Sequence, residues 1–195
     1  MKKLLITGFE LFGGEEINPS WDAVSRLPDI IGEYQLTKLR IPVVFGEAAD
    51  MITQTAKDLC ADTILCIGLA CGRAAITPEF VGINLRHATI PDNSGNQPQD
   101  KAIIEGGAAA FFSTIPVRKI ANAIKAAGIP SQVSYSAGAY VCNDVLYTLL
   151  ARFENSETKV GFLHVPYCTE QNKTPALPLQ DIVKALTIAI EQLDT

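Results

Sequence analysis

The chain has 195 residues, 48% hydrophobic and 19% charged, with no low-complexity tract and no charge run, which excludes a disordered chain and fits one compact domain over residues 1–195. The formal net charge is −5 and Lys and Arg are scattered, so the basic footprint needed to neutralise nucleic-acid phosphates is missing. No apolar stretch approaches the roughly 20 residues that span a bilayer, and the opening MKKLLITGFE lacks the length and cleavage site of a secretory signal, so a cytoplasmic protein is expected, with neither nucleic acid nor membrane as partner.

The elements alternate along the chain. Lys2 to Phe9 is a short apolar run ended by Gly8 and the pair Gly13-Gly14, a buried strand that opens into a loop. A helix follows from Ser20, with Trp21, Val24 and Leu27 on one face before Pro28 stops it. A second strand lies within Tyr34 to Phe45, Glu47 to Leu59 has helical spacing, and DTILCIG, Asp62 to Gly68, is apolar throughout, as in a strand buried on both faces of a parallel sheet. FVGINL suggests another strand. Ile90 to Gly107 is crowded with Pro, Asn, Asp and Gly and reads as a long surface loop. Arg118 to Ala127 is helical, SQVSYSAG is a strand, and Val141, Val145, Leu146, Leu149, Leu150 and Phe153 mark the next helix. KVGFLHVPY is the last strand, and Leu179 to Leu193 the last helix. This order predicts a three-layer α/β/α domain around a twisted, largely parallel, mixed sheet.

In such sheets reactive groups gather where strands end and helices begin. SAGAYVCND puts Cys142 at a strand–turn–helix junction, where a helix N-terminus lowers a thiol pKa and favours the thiolate. The alternative is a small core residue, since cysteine is among the most buried types; that part suits Cys60, Cys66 and Cys168, which lack the junction. Of the two histidines, His164 lies near the end of the last strand, where a crevice opens, and is the better base; His87 lies on a strand heading for the long loop. Glu79, just past the third strand, begins at the same sheet edge and could orient an imidazole. Phe9 and Phe12 suggest an apolar slot, although that spacing also suits plain core. Cys60, Cys66 and Cys71, spaced six and five residues apart, match no close metal pair, and the opening glycines match neither the dinucleotide nor the phosphate-loop pattern, so no metal and no cofactor are expected.

Taken together, GFELFGGEEINPS, GRAAITPE, IPDNSGNQP, SAGAYVCN and FLHVPY resemble the type I pyroglutamyl peptidases, a family of cysteine peptidases, in order and spacing from residue 7 to residue 167. The resemblance implies that Cys142 is the nucleophile, His164 the general base and acid, and Glu79 the residue that orients His164. It implies that Phe9 and Phe12 hold the lactam ring, and that Asn18, Leu69 and Val141 build the pocket. Peptides with an N-terminal pyroglutamate are the implied substrates, and a cytoplasmic homotetramer the implied assembly. The chain departs from the family pattern at Leu11 (often proline), Leu69 (often glutamine), Phe80 (usually arginine) and Thr89, where HATIPDN stands for a usual ARIPDN and an arginine near the active site is absent. A binding pocket with little hydrolysis and a cysteine amidohydrolase of other acyl specificity are the alternatives.

Overall fold

A computed structural model describes residues 1–194. In chain order the elements are β1 (Lys2–Phe9), α1 (Pro19–Ser25), β2 (Ile30–Ile31), β3 (Tyr34–Ile41), α2 (Glu47–Leu59), β4 (Thr63–Leu69), β5 (Thr77–Pro78), β6 (Val81–Ile83), β7 (Ala110–Phe112), α3 (Val117–Ala126), α4 (Val141–Arg152), β8 (Lys159–Val165), β9 (Tyr167–Cys168), β10 (Ala176–Leu177) and α5 (Leu179–Glu191). The main sheet has the order β2-β3-β1-β4-β8-β5. β3, β1, β4 and β8 run parallel, and the short β2 and β5 pair antiparallel at the two edges. The fold is therefore the expected three-layer α/β/α arrangement around a largely parallel sheet.

Alternation along the apolar strands separates the two helical layers. Leu4, Ile6, Leu65, Ile67, Leu163 and Val165 face a cluster with α1, α3 and α5, whereas Leu5, Phe9, Ile64, Cys66 and Phe162 face one with α2 and α4. His164 follows Phe162 by two residues, so it shares the α2/α4 face. β1 connects to β3 on one side, and the chain then passes through α2 to β4 on the other side of β1. The strand order thus reverses between β3 and β4, and the crevice opens at the carboxyl ends of β1 and β4, the usual ligand position in such sheets. Gly8 lets α1 lie against β1 there: a Cβ on Gly8 would come within 2.6 Å of the Trp21 backbone.

Two expected strands take other forms. FVGINL supplies β6, which pairs with β7 in a separate two-stranded sheet. SQVSYSAG runs beside residues 76–80 through bonds from Ile76 N to Pro130 O, Gln132 N to Ile76 O, Ser134 N to Pro78 O and Phe80 N to Ser134 O. The parallel ladder lacks its middle bond because Pro78 has no N–H to donate, so only isolated bridges remain at Ser131 and Ser134. The long loop from Ile90 to Gly107 holds no helix or named strand. Its first half is organised by Asp92, whose carboxylate accepts from the backbone N–H groups of Phe45, Ser94 and Asn96.

Candidate active site

Cys142 is the second residue of α4, whose cap residue Tyr140 is extended. The first turn is fastened by two fully buried polar side chains. Asn143 exchanges hydrogen bonds with Ile83 through Oδ1 (3.0 Å) and Nδ2 (2.9 Å) and donates to the Leu85 carbonyl (3.0 Å). Asp144 accepts from Arg86 Nε (2.6 Å) and from Gly46 N (2.7 Å). These bonds tie the helix start to β6 and to the cap of α2, so the thiol is placed by groups on three elements.

On the neighbouring strand, His164 Nδ1 lies 2.7 Å from Glu79 Oε1, and both side chains are buried. An ionised carboxylate can only accept, so the imidazole proton sits on Nδ1 and the Nε2 lone pair is free. Glu79 reaches this position because β5 runs antiparallel to β8, with Thr77 opposite His164 and Glu79 N donating to Phe162 O (2.9 Å). Gly68 stands opposite His164 in the β4–β8 register. A Cβ there would lie 2.8 Å from the Phe162 ring and 3.1 Å from Cys142 Sγ. The missing side chain therefore makes room for the sulfur on the sheet face that carries His164. Among the described residues Cys142 Sγ makes no hydrogen bond, to His164 or to any other group.

Burial, then the negative charge of Glu79, pushes the Cys142 thiol up to about 12. Burial also lowers His164, against the opposing pull of Glu79. Burial alone would raise Glu79, but its hydrogen bond to His164 and the charges around it hold its carboxyl below the usual value. The resting site is thus a neutral thiol and a neutral imidazole beside a carboxylate. This corrects the expectation that the start of α4 lowers the cysteine pKa: desolvation outweighs the helix terminus at this half-buried position.

The thiol opens into a cavity of about 340 Å³ lined by Phe9, Phe12, Asn18, Leu69 and Val141 together with Tyr140. Asn18 also caps α1, accepting from Ser20 N (3.1 Å) while its Nδ2 donates to Glu10 O (2.8 Å). Tyr140 packs its ring 5.5 Å from Phe12 and 5.2 Å from Phe45, and its hydroxyl donates to Pro91 O. Glu15 is a carboxylate on the same lining, but it is engaged by Lys173 and Gln171.

All eight residues singled out from the sequence gather here, six on the cavity and its floor and Glu79 with His164 behind it. His87 lies outside, partly exposed, with Nδ1 2.8 Å from Asp100. Cys66 and Cys168 are buried, but Cys60 is exposed at the end of α2 in the left-handed region (φ 50°), so its expected core role is wrong: the helix ends at Leu59, the core resumes at Ala61, and Cys60 is the cap between them. Thr89 is exposed and off the cavity, its carbonyl accepting from Gln97 Nε2, while its neighbour Ile90 contributes to the lining. Arg73 was missed. It donates to Glu79 Oε1 at 2.6 Å; it lies within the GRAAITPE block, where the sequence alone assigned it no role of its own.

The sequence model of a family described as pyroglutamyl peptidase matches residues 2–194. The chain belongs to that family. It is 47% identical to a pyrrolidone-carboxylate peptidase of Staphylococcus haemolyticus, covering 98% of this chain and 93% of the relative, and 45% identical to one of Yersinia pestis, covering 97% and 92%. Among solved structures it resembles pyroglutamyl peptidase I of Bacillus amyloliquefaciens, with TM-score 0.94 and 42% identity over 99% of this chain and 97% of that one. It also resembles the pyrrolidone carboxyl peptidase of Thermococcus litoralis, with TM-score 0.95 and 35% identity over 99% and 93%. Family membership thus extends over the whole sheet and both helical layers.

Proposed function

We propose that this member of the pyroglutamyl peptidase family removes an N-terminal pyroglutamyl residue from peptides through Cys142, His164 and Glu79. The observation that carries the reading is the stacking of Cys142 Sγ over Gly68, on the strand face where the buried His164–Glu79 pair lies. His164 Nε2 takes the thiol proton as sulfur attacks the pyroglutamyl carbonyl carbon, the contact tightening once substrate excludes water. The charge that develops on the carbonyl oxygen faces the free N–H groups of the first turn of α4. The imidazolium then gives its proton to the leaving amine as the C–N bond breaks, and a thioester remains. Water attacks the thioester with His164 again as base, releasing pyroglutamate and the thiol. Glu79 keeps the imidazole in the tautomer these steps need.

The lining formed by Phe9, Phe12, Leu69 and Val141 suits a flat neutral lactam, with Asn18 beside it as a polar group. A free α-ammonium would have no unpaired carboxylate to meet, since Glu15 is held by Lys173, and burying it unpaired costs several kcal/mol. A chromogenic pyroglutamyl amide tests the reading: turnover by the parent and none by Cys142→Ala are expected. Prolyl-alanine, which keeps the ring but carries the charge, is expected to be refused where pyroglutamyl-alanine is cleaved. Thr89, exposed and uncharged, favours a second reading, a pocket that binds but hydrolyses poorly; tight pyroglutamate binding without turnover would select it. The same proposal takes residues 1–195 as one catalytic domain, the protein as cytoplasmic, and the assembly as a homotetramer with the loop from Ile90 to Gly107 as a contact.

A further inference from the structure

Arg73 has no part in the steps above, yet it joins three pieces of the site. Nη1 donates to Glu79 Oε1 (2.6 Å) and to Thr77 Oγ1 (2.5 Å), and Nη2 donates to the Ser136 carbonyl (2.9 Å). Ser136 lies on the segment that delivers Cys142 to the start of α4. Glu79 Oε1 therefore receives both the imidazole and the guanidinium, while Oε2 has no hydrogen bond. A carboxylate held by one imidazole alone could swing either oxygen onto the ring; the planar fork removes that freedom, because it is itself anchored at Thr77 and Ser136.

We propose that Arg73 is a positioning residue for this reaction, holding Glu79 Oε1 at the point from which it orients His164 and linking that point to the segment that carries Cys142. This rests on the catalytic reading given above. The electrostatic consequence has a definite sign. The charged and titratable groups that bear on His164 are Glu79, from beyond β5, and Arg73, from the β4–β5 loop, with Cys142 facing the strand from α4. Burial lowers His164, Glu79 raises it and Arg73 lowers it. Arg73 also competes for the carboxylate that would otherwise favour an imidazolium. It thereby keeps the base neutral toward lower pH, the form that can accept the thiol proton.

The test uses the full chain and two readouts. The sequence has two histidines, so a ¹⁵N-histidine NMR titration with His87→Gln as the assignment control reports His164 directly. In Arg73→Gln the His164 midpoint is expected to rise by on the order of one pH unit. The acid limb of kcat/KM is expected to move with it, and kcat to fall about tenfold or more from a mispositioned base, with KM little changed because Arg73 is not on the cavity lining. Arg73→Lys keeps the charge without the fork, so its midpoint should stay near that of the parent while kcat falls. A midpoint unmoved in Arg73→Gln overturns the proposal, even if activity is lost with a lowered Tm. Parent-like kcat in a folded Arg73→Lys likewise overturns it, whether or not Arg73→Gln folds. The titration needs no turnover: a parent that cleaves no pyroglutamyl amide contradicts the functional reading, whereas an unmoved His164 contradicts only the part given to Arg73.

Discussion

At Cys142 two ordinary effects oppose each other, and the structure decides which is larger. A helix N-terminus contributes about 0.3–1 kcal/mol toward the thiolate when exposed, but the thiol faces Phe162 and the β4 backbone at Gly68 and is pushed to about 12. On the proposed reading the thiolate forms by proton transfer to His164 rather than standing ready. Alkylation of Cys142 by iodoacetamide should keep accelerating as pH rises above neutrality; an early plateau would point to a preformed ion pair. Because the base must be neutral and burial lowers His164, the acid limb of kcat/KM is expected below the ordinary histidine value of about 6.5. Glu79→Gln should leave the fold intact but lower kcat by 10²-fold or more in order of magnitude, since an amide can stabilise the wrong tautomer. Steady-state kinetics on a pyroglutamyl amide check both.

Among the elements, the β4–β8 pair and the first turn of α4 determine whether the groups meet. Gly68→Ala would drive a methyl to 2.8 Å from the Phe162 ring and 3.1 Å from Cys142 Sγ. Overpacking of this kind costs about 1–3 kcal/mol, and here it also displaces Cys142, the proposed nucleophile. Activity should fall further than the modest loss in urea midpoint implies; a variant with parent kcat would show that the sulfur has room to spare. Asp144→Ala removes a fully buried carboxylate from Arg86 Nε and Gly46 N. Breaking one partner of a buried pair costs about 3–5 kcal/mol, although Arg86, at 26% side-chain exposure, can recover some hydration, so the lower figure is expected in equilibrium denaturation.

For the molecule as a whole, Glu79 and His164 give stability a common pH trend. Both have folded values below their ordinary ones, so the unfolded chain binds protons first as pH falls. The His164 contribution is present above about 6.5 and is lost as pH drops through its lower folded value. The Glu79 contribution follows the same course below the usual carboxylate range. Scanning calorimetry from pH 8 downward should show Tm falling, first over the histidine step; a Tm that rises on mild acidification would contradict these directions. The proposed homotetramer is tested separately. Light scattering that returns a monomer at working concentration would remove the loop from Ile90 to Gly107 as a contact.

The sequence by itself determined the layers. Apolar runs at Lys2–Phe9, Thr63–Leu69 and Lys159–Val165 can be buried only between two helical faces, and the glycine and proline stops mark where each strand opens into a loop. It also supplied the eight candidate site residues, because their motifs survive in order along the chain. Tertiary structure alone decided three things. Pro78 breaks the SQVSYSAG ladder only because that segment lies beside residues 76–80, a pairing more than fifty residues apart in sequence. The charge state of Cys142 depends on desolvation by β4 and β8, which local helix position cannot report. Arg73 reads as an ordinary loop charge until folding brings Thr77, Glu79 and Ser136 within reach of its guanidinium. Local periodicity reports burial on a strand or helix face, whereas proton affinities and convergent donors arise from groups distant in the chain, and only the folded arrangement sets them.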